Sequence, residues 1–426
     1  MPDGSATAHL LRPKLATTLE EGYGRERLAR DAMAGLTVAV VALPLSMAIA
    51  VASGVTPERG LYTAVVGGTL VSALGGSRYQ IGGPAGAFIV LVAATVGKFG
   101  LGGLLCAVLL SGLMLTAMGL ARLGGLVRHI PHAVTVGFTG AIAVTILASQ
   151  LKDLGGLTLA AAEPSALVPK LAALYRALGT LEPAALGIGL GVAALILLVR
   201  RFRPAWPGML IAVAAASLVP LGLGIHVATI GSRFGGVPGG FPLPAPPPLS
   251  PALVLAVLPS AVSFTLLGAV ESLLSAKVAD GMTGRKHRSN MELVAQGIAN
   301  IASSCFGGIC VTGTIARTAT NVRAGASSPL AGVLHAAFLL AFMLLAAPLA
   351  AYIPLAALAG VLLVVSWNMA EKAEFIRLLH SPATAAVLLA TFGVTLARDL
   401  TTGIIAGCLL AVALAALRQR VPEEGD

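Results

Sequence analysis

Charge is scarce in this chain, and aromatic side chains are scarcer still. Asp, Glu, Lys and Arg make up 11% of the 426 residues and Phe, Trp and Tyr 4%, where an ordinary soluble domain carries about 25% charged residues. A soluble surface needs polar groups however large its core, so a water-soluble globule is excluded. The four cysteines, Cys106, Cys305, Cys310 and Cys408, are scattered through apolar stretches. Their spacing fits neither a metal site nor a disulfide framework, and they read as small packing residues. No nucleophile motif or metal-ligand cluster is visible, which leaves an enzyme without its machinery and calls for no cofactor. The first thirty residues are polar and carry Arg12, Lys14, Arg25, Arg27 and Arg30. They lack the apolar core and cleavage site of a signal peptide, so 1–30 is expected to remain as a cytoplasmic leader.

What is present is apolar length. Hydrophobic residues make up 57% of the chain, and 32–52 runs without one charged residue. Comparable runs cover 102–120, 133–151, 183–199 and 329–349, near or above the roughly 18–20 residues a helix needs to cross a bilayer. The runs do not alternate every second residue as barrel strands do. Abundant Gly and Ala suit close helix packing in lipid. The expectation is an all-α polytopic membrane protein of about fourteen segments: 31–53, 61–75, 84–97, 101–121, 129–151, 183–199, 205–221, 253–278, 291–306, 313–323, 328–348, 354–370, 382–397 and 400–417.

An even number of segments puts both termini on one side. With the N-terminus inside, twenty of the 28 Lys and Arg residues fall on cytoplasmic positions and seven outside, the bias that the positive-inside rule demands. The same bias accounts for the net charge of +10, so no nucleic-acid partner is needed. The run Arg285-Lys286-His287-Arg288 reads as an inside-facing topology signal. His129 and His132, flanking Pro131, read as interface residues rather than a proton relay.

The Gly- and Pro-rich stretch 235–251 divides the segments seven and seven. An odd number per half inverts the second half in the membrane, a common transporter plan with its site at the midplane. The first repeat is expected over 31–221, an extracellular loop over 222–252, the second repeat over 253–418 and a cytoplasmic tail over 419–426. The third segment of each half has a matching lead-in. Gly75-Gly76 precedes Ser77-Arg78-Tyr79-Gln80-Ile81-Gly82-Gly83-Pro84, and Gly307-Gly308 precedes Ile309-Cys310-Val311-Thr312-Gly313. Each apolar part is too short to span alone, so an extended piece must supply the rest. Bare backbone at that depth survives only beside protein or a watery cavity. The two extended pieces are expected to pair, leaving two helix N-termini face to face as an anion site.

These residues resemble the SulP family of anion permeases over almost the whole chain. The resemblance is carried by Leu43-Pro44-Leu45-Ser46-Met47-Ala48-Ile49-Ala50, Gly60-Leu61-Tyr62, Leu267-Gly268-Ala269-Val270-Glu271-Ser272, Ala279-Asp280-Gly281 and Gly313-Thr314-Ile315-Ala316-Arg317-Thr318-Ala319-Thr320-Asn321. It implies two intertwined inverted repeats, a core (31–122 and 253–348) that moves like an elevator against a gate (128–221 and 354–418), and a homodimer in a bacterial inner membrane. It implies a substrate site of Ala85, Gly86 and Ala87 on segment 3 and Thr314, Ile315, Ala316 and Arg317 on segment 10. Segment 1 would add Leu45 and Ile49, and segment 8 would add Glu271. Many animal members carry Gln at Leu45 and Phe at Ile49, so those side-chain contacts are absent here. Members usually continue into a cytoplasmic STAS domain, whereas this sequence stops at Asp426.

Glu271 lies in an otherwise neutral run, and intramembrane carboxylates are costly and mostly functional. The plain alternative is that segment 8 ends early and leaves it at the interface. Arg317 could attract an anion or pair with a carboxylate, Glu271 included. The favoured function is secondary transport of a small anion (sulfate, bicarbonate or a C4-dicarboxylate) coupled to protons through Glu271. The alternatives are a passive anion channel or exchanger of the same fold, and a nucleobase permease, which would need acids on both segments 8 and 10.

Overall fold

A computed structural model describes residues 11–125, 131–161, 163–164, 167–204, 206–398 and 400–420. His129, residues 1–10 of the expected leader and 421–426 of the expected tail lie outside the described residues. Lipid offers the backbone no hydrogen-bond partner, so apolar stretches of this length satisfy themselves as helix. The first half holds α1 (Lys14–Glu20), α2 (Arg25–Ala52), α3 (Pro57–Tyr62, continued through a π-helical turn Thr63–Gly67 into Gly68–Leu74), the short strand β1 (Gly82–Gly83), α4 (Ile89–Leu120), α5 (His132–Leu154), α6 (Leu167–Arg176), α7 (Pro183–Phe202), α8 (Gly208–Leu223) and α9 (Ile230–Phe234). The second holds α10 (Pro251–Thr283), α11 (Ser289–Cys305), β2 (Thr312–Gly313), α12 (Ile315–Arg323), α13 (Leu330–Ala350), α14 (Leu355–Met369), α15 (Lys372–Leu379), α16 (Pro382–Ala397) and α17 (Leu400–Arg420).

Helix occurs over each expected segment, but not all of it is of spanning length. Among the described residues, seven stretches are long and apolar enough to cross a membrane: Arg25–Ala52, Gly86–Leu120, His132–Leu154, Pro183–Phe202, Pro251–Thr283, Leu330–Ala350 and Leu355–Leu379. Shorter apolar helices lie within α8, α16 and α17. The expected segments 84–97 and 101–121 run together as α4, with the break between them at Gly100, whose φ of 67° no side-chain-bearing residue adopts easily.

Packing interleaves the two halves. α2 lies against α13, and α4 lies against both α10 and α11. On the other side α5 lies against α14 and α16, and α7 against α14. Every one of these pairs joins a helix before the 235–251 stretch to one after it. Small residues set the closest approach: a Cβ on Gly297 would stand 2.6 Å from the carbonyl oxygen of Gly112, so α4 and α11 touch backbone to backbone.

Between α3 and α4, and again between α11 and α12, the chain runs extended through buried surroundings. β1 and β2 pair antiparallel, Gly82 opposite Gly313 and Gly83 opposite Thr312, as the matching lead-ins required. The remaining backbone groups are taken up by side chains. The Glu292 carboxylate accepts from the amides of Gly76 (2.9 Å) and Ser77 (3.0 Å). Thr318 Oγ1 accepts from Ile81 N–H, and Asn321 Nδ2 donates to Tyr79 O. On the second lead-in, the Asn300 amide both donates to Val311 O and accepts from Val311 N–H, each at 2.9 Å. Ser303 donates to Ile309 O, and Thr63 accepts from Ile309 N–H.

The described part of the leader, residues 11–30, is docked on the bundle. α1 hydrogen-bonds through Lys14 N–H to Gly75 O, and Arg288 donates to Arg12 O at 2.7 Å. Glu21 meets the Arg78 guanidinium, which holds its carboxyl below the usual range. That contact is present at neutral pH and is lost as the pH falls through the depressed value.

The Asn300 bridge generates a stability test. Asn300→Leu leaves the N–H and C=O of Val311 unpaired, at about 1–3 kcal/mol for each group. The expected outcome is a clear drop in the melting temperature of the detergent-solubilised protein. An unchanged melting temperature would mean the lead-in finds other partners.

Candidate functional site

The two lead-ins deliver two helix starts to one place. A 3₁₀ turn, Gly86–Phe88, opens α4, with Ala85 as its cap, and Thr314 caps α12. Neither cap residue covers the first amides with a side-chain hydrogen bond. Unsatisfied N–H groups at a helix start carry roughly half a positive charge.

Both starts open into a cavity of about 310 Å³. Its wall contains every residue expected from the sequence: Ala85, Gly86 and Ala87; Thr314, Ile315, Ala316 and Arg317; Leu45 and Ile49; and Glu271. α10 continues to Thr283, so Glu271 is not at a helix end, and its side chain is buried at 9% exposure.

Arg317, in the first turn of α12, is 2% exposed. Its Nη2 donates to Ser46 Oγ at 3.2 Å, and its Nε and Nη1 have no partner. Among the described residues no carboxylate forms an ion pair with it, so the pairing of Arg317 with Glu271 considered from sequence is not made. The guanidinium lies against Gly83: a Cβ there would stand 2.0 Å from Nη1. Strand β1 needs glycine at this point so that the charge can sit behind the paired strands. A buried cation without a counter-ion is costly, and it makes the cavity a place where an anion is welcome.

Sequence reasoning missed the opposite wall. Thr139, Met209, Val365, Asn368 and Met369, from α5, α8 and the end of α14, and Glu371 just beyond it also line the cavity. The signal was there in the polar pair Asn368 and Glu371 at the end of an apolar run. Glu371 also borders a separate shallow depression lined by His132, Lys372, Glu374 and Arg377. Its backbone is left-handed, at φ 39°, which costs of order 1 kcal/mol or more for a residue with a side chain. His132 pairs with Glu374 at 2.7 Å, and the four cysteines are free. No metal-binding cluster occurs among the described residues.

Interleaved halves, extended mid-bundle chain and two opposed helix starts over a buried arginine fit a membrane protein that transports anions. Residues 28–391 match the sequence model of the sulfate permease family, and the chain belongs to that family. It is therefore a multi-pass anion transporter and not an enzyme. It is 42% identical to the putative sulfate transporter YvdB of Bacillus subtilis, over 92% of this chain and 74% of that one. It is 30% identical to the bicarbonate transporter BicA of Picosynechococcus, over 89% and 69% respectively. Among solved structures, the transmembrane domain of a cyanobacterial BicA superposes with a TM-score of 0.80 at 29% identity, covering 90% of this chain and 98% of that one. A murine Solute Carrier 26 family anion transporter shares the fold with a TM-score of 0.85 at 19% identity, over 99% and 73%.

The glycine behind the arginine yields a second test. Gly83→Ala should push the guanidinium off Ser46 and raise the half-saturation concentration for anion transport about ten-fold, while the protein still folds. Unchanged half-saturation would show that the position of Arg317 does not matter to the transported anion.

Proposed function

We propose that the chain is a proton-coupled carrier of a small anion, held between the starts of α4 and α12 and moved by an elevator-like step. The observation that carries this reading is the uncapped pair of helix starts beside an unpaired, buried Arg317. Backbone amides at a helix N-terminus bind anions without further help, and the guanidinium adds a fixed charge behind them. The residue sets 31–122 and 253–348 act as the core that carries the site, and 128–221 and 354–418 as the gate. The fourteen segments form two inverted repeats of seven, and the protein works as a homodimer. The Lys and Arg bias supports cytoplasmic termini and an inner-membrane location.

The anion is drawn from sulfate, bicarbonate and C4-dicarboxylates, and relatives named for sulfate and bicarbonate support the first two. A nucleobase reading needs a second acid on α12, which carries Arg317 and no acid. A passive channel of the same fold differs in one measurable respect: its flux does not saturate with substrate.

Glu271 is the proposed proton carrier. It lies in the same cavity as the helix starts and has neither a cation nor a hydrogen-bond donor beside it among the described residues. An anion and an ionised carboxylate in one small cavity repel each other, so the loaded site is the one that holds a proton, and both cross together. Glu271→Gln copies the protonated acid permanently. In liposomes it should still bind and exchange the anion but lose accumulation driven by an inward proton gradient. If the variant still concentrates substrate on that gradient, the proton travels elsewhere.

A further inference from the structure

The wall opposite the helix starts is mostly apolar, and its polar groups differ in what they offer. Thr139 is occupied, since its hydroxyl donates to Thr135 O at 2.8 Å. Glu371, when ionised, can only accept. Asn368, near the end of α14, is bonded through its side-chain oxygen to Arg200 Nη1 on α7, at 3.3 Å. A guanidinium has donors and no acceptor, so the oxygen must be the amide atom that faces Arg200. The nitrogen is thereby turned away from Arg200 on a residue that lines the cavity. Among the described residues that Nδ2 has no acceptor. It is the one uncommitted side-chain donor on this wall among the described residues.

We propose that Asn368, positioned by Arg200, is a donor to the transported anion that stays behind when the site moves. The inference rests on the carrier reading above and sharpens it. Ligands on α4, α10 and α12 travel with the anion, so they act equally whichever face the site opens to. α14 lies with α5 and α7 in the other packing group, so Asn368 meets the anion only where this cavity opens. Glu371, three residues on from Asn368, lines both this cavity and the depression formed with Lys372, Glu374 and Arg377, and the Lys and Arg bias assigns that end of α14 to the cytoplasmic side. The affinity for the anion is therefore unequal on the two faces, and tighter inside by what this one contact contributes.

The experiment measures half-saturation from each face, in right-side-out and inside-out membrane vesicles. The probe is whichever of labelled sulfate and labelled bicarbonate the wild-type protein carries with saturation. Asn368→Ala should raise half-saturation at the cytoplasmic face roughly ten-fold and leave the outer face within two-fold. Asn368→Asp, which keeps the size and the oxygen toward Arg200 but loses the donor, should show the same one-sided loss and guards against a folding defect in the first variant. Arg200→Gln should reproduce it in weaker form, since the amide is then free to turn. An equal rise at both faces, or no change at either, overturns the proposal while leaving the Gly83 and Glu271 tests to judge the site itself. If neither probe, nor a labelled C4-dicarboxylate used in their place, is carried with saturation, the carrier reading falls, and this inference with it.

Discussion

Extended backbone in the middle of a membrane protein has to find a partner for every amide and carbonyl, and that requirement organises this molecule. Lipid supplies none, and each unmet group is expensive. Here the two interrupted segments meet each other at Gly82–Gly313 and Gly83–Thr312, and everything else follows from holding that contact in place. Glu292, Asn300, Ser303, Thr318 and Asn321 are buried polar residues on neighbouring helices whose side chains stand in for missing strands. The proposed anion site is what remains once that pairing is complete: two helix starts whose first amides no side chain caps among the described residues.

The same logic separates two kinds of buried acid. Asp31 and Glu292 are both fully buried. Asp31 accepts from Tyr23, Ser327 and Ser328, and Glu292 from Gly76 and Ser77. They are structural, because their oxygens are already engaged. Glu271 is not engaged in this way and faces the cavity. In the sequence the difference shows only as position, since Asp31 and Glu292 sit at segment edges and Glu271 lies well inside one.

Segment positions, the paired lead-ins and the first wall of the cavity were legible because each leaves a local mark: an apolar run, a double glycine, a short helix after it. Gly100 was legible as the gap between two runs, and the structure keeps it as a non-helical kink between two helical stretches. The second wall left a fainter mark, a polar pair at the end of an apolar run. Asn368 matters through Arg200, 168 residues earlier, and Glu371 through a depression it shares with His132, far back in the chain. No periodicity in a single sequence reports contacts of that range. Arg317 shows the mixed case, since its burial was legible but its lack of a counter-ion was not.

The long reach of these contacts has a consequence for how the chain is made. The amides of Gly76 and Ser77 are satisfied by Glu292, which follows them by 216 and 215 residues. At about 5–20 residues per second, the ribosome delivers that carboxylate roughly ten to forty seconds after the first lead-in has emerged. Throughout that interval the first half cannot settle in hydrocarbon with its lead-in extended. It waits either in a watery or proteinaceous shelter at the insertion machinery or with that stretch temporarily at the membrane surface. The decisive step of assembly thus waits for the second half: the two lead-ins are completed only when its helices pack between those already made, and neither half has a finished fold to reach alone.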